Sequence, residues 1–265
     1  MTQQDSFMPF PLRRVVSSQT AFSLVELLVA LAIIALITAL LFPALQLARD
    51  AANTAACLSN LKQLASASQM YSGDNDLRLI PMCSGSNGAT AQTWRKLLVP
   101  YLTTGTNSSL RKPFVCPADA LGLKSAGTGT AGTTPTSYGL HESEYYARDY
   151  LHNYLTYVTD RRVTAVKNPS FTVFLTDLGK PDRPNEAVSA WTEKSRTPGA
   201  ANYGYAFFPS DTNFNGSDPW DAFPRHGNRR KVNAAFYDGH AESLDWKDEI
   251  VANPRGTPGC RFDNH

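Results

Sequence analysis

Residues 22–42 read FSLVELLVALAIIALITALLF, a run that is apolar almost throughout. At about 1.5 Å per helical residue this run reaches roughly 31 Å, which is about the thickness of one bilayer core. The residues before it are polar, and their basic residues are Arg13 and Arg14. The positive-inside tendency therefore places residues 1–21 in the cytoplasm and the residues after the run outside. The sequence predicts one membrane-spanning helix close to the N-terminus.

Glu26 separates three interpretations of this run: a removable secretory signal, a plain membrane anchor, and a segment that is processed at its start. A carboxylate in a membrane helix costs about 2.5 to 3.5 kcal/mol at the centre, so Glu26 indicates a role or a partner, although its place near the start also lets it reach the interface. A secretory signal has an apolar region of about 7 to 15 residues that ends at a small-residue cleavage site. This run is longer and no convincing site follows it, which favours the third interpretation.

The residues around Glu26, AFSLVELL at 21–28, closely resemble the prepilin cleavage and methylation motif of type IV pilin-like proteins. In that family a membrane peptidase cuts just before the first apolar residue and methylates the new amino terminus. The resemblance implies a cut between Ala21 and Phe22, an N-methylated Phe22, and Glu26 as the fifth residue of the mature chain. Ala21 departs from the family, in which Gly usually precedes the cut. A carboxylate one helical turn from the new amine would neutralise it on the same or a neighbouring subunit.

Beyond Pro43, where a kink or weakened turn is expected, the pattern changes from uniformly apolar to amphipathic. Apolar residues recur at helical spacing: Ala44, Leu47, Ala48, Ala51, Ala55, Leu58, Leu61, Leu64, Ala65 and Met70. This half is predicted to pack on a globular domain and to end near Tyr71, before the turn-forming residues 72–76. The pilin family implies one long helix, first lipid-facing and then core-facing. An anchor followed by an unrelated helix is the alternative.

The later part of the chain predicts an α+β fold, with the N-terminal helix laid on an antiparallel sheet. Residues 93–102 predict a short helix that stops near Pro100, and the Gly/Ser/Thr-rich residues 122–139 predict a surface loop. Strand patterns occur at residues 170–177, 232–238 and 241–246. Between the last two, Asp238-Gly239 predicts a hairpin turn, since both residues tolerate positive φ.

Four further segments, spread over most of the chain, resemble a large pilin-like family that combines a prepilin N-terminus with a C-terminal His…Asp-Gly-His signature: residues 57–76, 113–119, 168–177 and 225–242. The signature falls on His226, Asp238, Gly239 and His240. Eleven residues separate His226 from Asp238, a slight departure in spacing. The family's members are mostly assigned to type II secretion by similarity.

The signature residues are one candidate metal site. His226, Asp238 and His240 would converge with Asp177 on a divalent ion, since imidazole and carboxylate are suitable ligands. A turn at Asp238-Gly239 and a strand-edge His240 explain the same residues without a metal.

Residues 211–218, DTNFNGSD, are a candidate calcium loop, because oxygen ligands at alternate positions precede a Gly that permits a sharp turn. The bidentate Glu of a complete loop is replaced by Ala222, which leaves Asp218 or Asp221 to substitute. An ordinary Asn/Gly-rich loop is the alternative. The candidate calcium ligands are Asp211, Asn213, Asn215 and Asp218.

Charge, cysteines and motifs exclude several other classes. The net charge is +2, and no dense Lys/Arg stripe with interleaved aromatics predicts nucleic-acid binding. No G-x-S-x-G elbow, phosphate-binding loop or dinucleotide fingerprint occurs, so no enzyme is predicted. The cysteines are too few for a disulfide scaffold and lack the close pairing of zinc ligands, but outside the inner membrane one or two bridges are plausible. Three pairings stay open among Cys57, Cys83, Cys116 and Cys260.

The chain is thus predicted to be a structural subunit of a type II secretion pseudopilus or a type IV pilus-like filament. Its parts would be a leader (1–21), a membrane or filament-core helix (22–43) and a periplasmic globular domain (44–265). The predicted partners are the prepilin peptidase, other pilin or pseudopilin subunits, the secretion assembly platform and the inner membrane. The alternatives are a membrane-anchored periplasmic binding module and a secreted enzyme without a recognisable signature.

Overall fold

The computed structural model describes residues 23–81, 83–84, 92–102, 113–119, 136–141, 162–179, 191, 205–206, 208–209, 214, 221–254 and 256–262. The chain divides into two compact units, Met1–Gln46 and Leu47–His265. Two groups of predicted residues lie outside the described part: the proposed processing site at Ala21 and Phe22, and the candidate calcium ligands of residues 211–218.

Helix α1 runs from Leu24 to Asp74 and continues through Pro43. It ends three residues later than the predicted end at Tyr71, and the Ser72 hydroxyl in its last turn donates back to the carbonyl of Ser68 at 3.0 Å. The chain then leaves the helix through Asp76 and Leu77, whose φ values of 54° and 58° are left-handed. Such left-handed residues terminate helices by reversing the backbone.

Within the first unit every α1 residue from Leu24 to Gln46 is exposed. Thirteen of them are large apolar residues between Leu24 and Phe42, each at least 49% exposed. The hydroxyl of Thr38 donates to the carbonyl of Ile34 at 2.9 Å, so this polar side chain is satisfied inside the helix itself. The segment is long and apolar enough to cross a membrane.

The second unit contains a sheet of six strands among the described residues: β3 (Tyr138–His141), β4 (Val173–Gly179), β5 (Tyr205–Ala206), β6 (Asp221–Ala222), β7 (Lys231–Phe236) and β8 (Ala241–Asp245). The strand order is β5-β3-β4-β7-β8, and β6 pairs with β4. The pairs are antiparallel except β3 with β5, which are parallel over two residue pairs. The predicted α+β class with a long N-terminal helix and an antiparallel sheet is confirmed.

Smaller elements complete the described part. Strands β1 (Cys83–Ser84) and β2 (Gln92–Thr93) form a separate two-stranded pair. The short helix predicted to stop near Pro100 is confirmed as α2 (Trp94–Leu98). A 3-10 turn (Val99–Tyr101) follows it, since Pro100 cannot continue an α-helical hydrogen-bond pattern. A second 3-10 turn covers Val163–Ala165, and a π-helical turn covers Trp246–Val251.

The end of the predicted loop over residues 122–139 is wrong, because Tyr138 and Gly139 belong to strand β3. Tyr138 pairs with Asp177 and Gly139 pairs with Thr176 on β4. All of β3 is buried, so pairing with a neighbouring strand outweighs the turn-forming composition of this stretch. The part of the predicted loop before residue 136 lies outside the described residues.

The core lies on both faces of the sheet. Neighbouring residues of β7 point to opposite faces, so Ala235 contacts the side that carries α1 and Phe236 contacts the other. On β4, Leu175 belongs to the first side and Val173 to the second, because the register shifts between these two residues. Helix α1 contributes a buried stripe at helical spacing: Cys57, Leu61, Leu64, Ala65, Ala67, Ser68 and Ser72. The opposite face is largely aromatic: Trp191, Phe208, Phe223, Phe236, Trp246 and Phe262. The prediction that the amphipathic half of α1 packs on the domain is confirmed at Leu61, Leu64 and Ala65. The other residues predicted for this face are exposed or only partly buried: Ala44, Leu47, Ala48, Ala51, Ala55, Leu58 and Met70.

Candidate functional site

The N-terminal end of α1 is closed by Ser23 and Glu26. The Ser23 hydroxyl accepts the backbone N–H of Val25 at 3.3 Å, and the Glu26 carboxylate accepts the backbone N–H of Ser23 at 2.9 Å. The two bonds resemble a capping box, except that the Ser23 hydroxyl accepts from Val25 and not from Glu26, and they satisfy two amide donors that a helix leaves unpaired. The S-x-x-E spacing is visible in the sequence, but the sequence reasoning above considered Glu26 alone and missed Ser23.

Glu26 is the sole charged residue between Leu24 and Ala48. Its carboxylate also lies in the first turn, where the helix dipole favours negative charge. The amide that it accepts belongs to the residue directly after Phe22, at which the prepilin motif places the new amine. The Glu26 carboxylate therefore bonds the residue next to the predicted new N-terminus, although Ala21 and Phe22 themselves lie outside the described part.

The signature residues lie at two ends of β7. His226 pairs with Lys231, the first residue of β7, whereas Asp238 and His240 follow its last residue, Phe236. A strand of this length spans about 17 Å, so the four predicted ligands do not share one ion. The prediction that His226, Asp238 and His240 converge with Asp177 is corrected accordingly: His226 meets Asp177, and Asp238 meets His240.

Asp238 and His240 form the hairpin between β7 and β8. The carboxylate of Asp238 contacts Nδ1 of His240 at 2.5 Å and accepts its backbone N–H at 3.1 Å, while the His240 ring stacks on Phe236. Gly239 has φ +92°, but Asp238 does not take the positive φ that a two-residue turn would require. The predicted turn is confirmed, in the form of a longer loop with a left-handed glycine.

His226 is completely buried beside a disulfide and a carboxylate. Its Nε2 lies 3.5 Å from Sγ of Cys116 and 3.4 Å from Oδ2 of Asp177, and its Nδ1 lies 3.1 Å from Oγ1 of Thr54. The sulfur of Cys116 is bonded to that of Cys57 on α1. We call these five residues, Thr54, Cys57, Cys116, Asp177 and His226, the His226 cluster.

Both ring nitrogens of His226 face polar atoms. The Thr54 hydroxyl, which contacts Nδ1, also donates to the carbonyl of Asp50 at 2.8 Å. Nε2 faces Cys116 and Asp177 on the other side of the ring.

Arg225 supplies positive charge next to the His226 cluster. Its guanidinium lies 3.6 Å from Asp119 and 3.7 Å from Asp177, and it donates to the carbonyl of Leu178. The two carboxylates are fully buried, and the side chain of Arg225 is 5% exposed. Asp119 also accepts the Ser137 hydroxyl at 2.6 Å. Each buried charge thus has an opposite charge or hydrogen-bond donor beside it, as burial of ionised groups requires.

Tyr138 lies against this charged interior, opposite Asp177 in the pairing of β3 and β4. Burial raises the pKa of the Tyr138 phenol well above its ordinary value, and the negative charge of Asp177 raises that pKa further. The phenol is consequently neutral at physiological pH.

The disulfide between Cys57 and Cys116 settles one of the pairings that the sequence left open. It joins α1 to the segment before β3 across 59 residues of chain. Cys260 is buried in the aromatic cluster, and the side chain of Cys83 lies outside the described part. Asp221, one possible substitute in the predicted calcium loop, is buried in β6.

Comparison with known families identifies the N-terminal segment. The family described as the prokaryotic N-terminal methylation motif matches residues 16–42, which include Ala21, Phe22 and Glu26. No curated protein and no solved structure shows a significant match to the chain. The C-terminal signature therefore stays a resemblance. Residues 16–42 carry the prokaryotic N-terminal methylation motif, the processing motif of prepilins, in a chain with a pilin-like α+β fold.

Proposed function

We propose that this protein is a non-enzymatic structural subunit of a type II secretion pseudopilus or a related type IV pilus-like filament. The prepilin would enter the inner membrane once, with residues 44–265 in the periplasm. A prepilin peptidase would cut between Ala21 and Phe22 and methylate Phe22. The assembly platform would then move the apolar helix from lipid into the filament core, beside the helices of other subunits.

The observation that carries this proposal is an exposed apolar helical segment with a single carboxylate, Glu26, in its first turn. Thirteen large apolar side chains of α1 between Leu24 and Phe42 contact no other described part of the chain closely enough to be buried. At about 0.3 to 0.6 kcal/mol each, their transfer into lipid is favourable by roughly 4 to 8 kcal/mol. The segment therefore needs an apolar surrounding, which a bilayer or a bundle of identical helices supplies.

Glu26 gives the assembly its register in this proposal. Cleavage creates an amine at Phe22, within one helical turn of the carboxylate. The capping bond to Ser23 shows that the Glu26 side chain reaches back toward the N-terminus. In a low-dielectric helix bundle an amine and a carboxylate attract strongly, so subunits would align where each amine meets a carboxylate.

The decisive experiment combines N-terminal mass spectrometry with an assembly assay of Glu26 variants. The native mature peptide is expected to begin at Phe22 and to carry one additional methyl group. Glu26→Gln, which keeps the shape and removes the charge, is expected to be cleaved but to be lost from sheared or sedimented filaments by at least tenfold. Asp76→Asn is the matched control, since Asp76 is an exposed carboxylate just after α1, and it is expected to assemble normally.

The result decides between the proposal and its main rival. A protein recovered with residues 1–21 attached and no polymer contradicts the proposed processing and assembly. A processed chain that stays in the membrane, with native Glu26 and all other subunits present, indicates instead an anchored periplasmic binding module.

A further inference from the structure

The His226 cluster brings together three side chains that bind soft divalent metals. The sulfurs of Cys57 and Cys116 and a ring nitrogen of His226 all lie within 4.8 Å of one another, and all three residues are fully buried. In the described structure the two sulfurs form a disulfide. We propose that reduction of this disulfide turns the cluster into a site for one Zn²⁺, bound by two thiolates and Nε2 of His226.

The distances fit a tetrahedral zinc site with little movement. Zinc–sulfur bonds of about 2.3 Å and zinc–nitrogen bonds of about 2.0 Å place neighbouring sulfur and nitrogen ligands about 3.5 Å apart. Cys116 Sγ and His226 Nε2 already lie 3.5 Å apart. The two sulfurs must separate to about 3.8 Å. The Cα atoms of Cys57 and Cys116 are 5.1 Å apart, so side-chain rotation provides this separation.

His226 is already oriented as a metal ligand. Its Nδ1 lies 3.1 Å from Oγ1 of Thr54, and its Nε2 faces Sγ of Cys116 at 3.5 Å. Metal-bound histidines are usually fixed in this way, with the second ring nitrogen hydrogen-bonded to an oxygen. The ring thus needs no rotation when zinc binds at Nε2.

Asp177 is placed to complete the coordination. Its Oδ2 lies 3.4 Å from Nε2 and is held by the backbone N–H of Asn233 at 2.9 Å. A carboxylate oxygen at about 2.0 Å from zinc is a usual fourth ligand, and a rotation of the Asp177 side chain brings it there. The two thiolates supply the two negative charges that balance a divalent ion, and Arg225 lies beside the carboxylates of Asp177 and Asp119.

The switch between the two states is a two-electron reduction. A dithiol reductant gives two electrons and two protons to the disulfide, which becomes two thiols while the reductant becomes a disulfide. Zinc then replaces the two thiol protons, which pass to solvent. The oxidised protein lacks thiolates and binds no zinc here, so metal binding reports the redox state of the domain. This inference does not depend on the proposed function.

Cobalt, a spectroscopic substitute for zinc, tests the site in the full chain held in detergent micelles. The protein is reduced anaerobically with dithiothreitol, freed of reductant and titrated with Co²⁺. Reduced protein is expected to bind one Co²⁺ per chain, with thiolate-to-cobalt charge-transfer bands and the intense visible bands of tetrahedral cobalt, and Zn²⁺ should abolish both. The oxidised protein should show neither band.

Variants assign the bands to this cluster. Titrations in a Cys83→Ser/Cys260→Ser background remove the other two cysteines and should leave binding unchanged. His226→Gln should weaken binding at least tenfold, while His240→Gln, the matched control at the exposed hairpin, should not. Thr54→Val should weaken it by about tenfold through the orientation of the ring.

Several outcomes overturn the proposal. One is that reduced protein titrated with Co²⁺ shows no bands corresponding to one bound ion per chain. Another is that His226→Gln binds Co²⁺ with the same bands and the same affinity as native protein. A third is that oxidised protein shows bands as strong as those of reduced protein. The comparison of oxidised with reduced native protein needs no substitution, so it remains decisive if a variant does not fold.

Discussion

Thr54 on α1 and His226 in the loop before β7 are joined side chain to side chain, with Oγ1 and Nδ1 3.1 Å apart. Next to this contact, the carboxylate of Asp50 accepts the backbone N–H of Gly227 at 3.1 Å, and the carbonyl of Thr54 lies 3.5 Å from the side-chain nitrogen of Asn233. Polar contacts therefore connect α1 to the strand that follows His226, in addition to the apolar stripe further along the helix.

Thr54→Val should destabilise the domain by about 1 to 3 kcal/mol, because it leaves the buried Nδ1 of His226 without its hydrogen-bond partner while keeping the shape of the side chain. Denaturant unfolding of the full chain in micelles measures this change. Thr38→Val is the matched control, since Thr38 is exposed and bonds only within its own helix, and it should change stability by less than about 0.5 kcal/mol. Equal effects of the two substitutions would show that the contact with His226 contributes nothing.

Replacing both Cys57 and Cys116 with Ser should lower the free energy of unfolding by about 4 kcal/mol. The bond closes a loop of 59 residues, and its loss restores the conformational freedom of that loop in the unfolded chain. Unfolding midpoints of the native protein with and without a dithiol should differ in the same direction. A reduced native protein that unfolds at the oxidised midpoint would contradict the expectation.

Gly239→Ala and Gly73→Ala should have opposite effects on stability. Gly239 has φ +92°, and an added Cβ would lie 2.8 Å from the side chain of Gln69, so the substitution should cost roughly 1 to 2 kcal/mol. Gly73 lies in α1 with nothing within 4 Å of an added Cβ, so alanine there should stabilise by about 0.5 to 1 kcal/mol. Thermal unfolding of the two variants in parallel checks the signs, and a neutral Gly239→Ala would exclude strain at the hairpin.

Tyr138 should make the domain sensitive to alkaline pH. Burial in the folded state raises the pKa of this phenol. The phenol therefore causes no pH-dependent loss of stability below about pH 10, the ordinary pKa of tyrosine. Above that pH the unfolded chain releases a proton that the folded chain keeps, and stability should fall by up to about 1.4 kcal/mol per pH unit.

The measurement is the free energy of unfolding of native protein and Tyr138→Phe between about pH 9 and 11. The variant should lose stability less steeply. Tyr71→Phe is the control: burial raises the pKa of Tyr71 and the charge of Arg78 lowers it, so its slope should change less. Parallel slopes for native protein and Tyr138→Phe would contradict the assignment.

Local patterns predicted the elements that depend on short windows of sequence. The apolar run and the helical spacing after Pro43 predicted α1, and the alternation in residues 170–177, 232–238 and 241–246 predicted β4, β7 and β8 to within a few residues. The turn at Asp238-Gly239 also predicted the pairing of β7 with β8, but pairing between strands distant in sequence could not be predicted in the same way. Tyr138 and Gly139 lie at the end of a stretch whose composition is typical of loops, and only their pairing with β4 makes them part of a strand.

By itself, the sequence determined the processing motif at residues 16–42, the exposed apolar helix and the charge at Glu26, because each depends on neighbours within a few helical turns. Only the tertiary structure decided that His226 meets Thr54, Asp177 and the Cys57–Cys116 disulfide and that Asp238 and His240 lie elsewhere. The physical reason is that these contacts join residues up to 172 positions apart, and their meeting depends on strand register and on which face of α1 packs against the sheet.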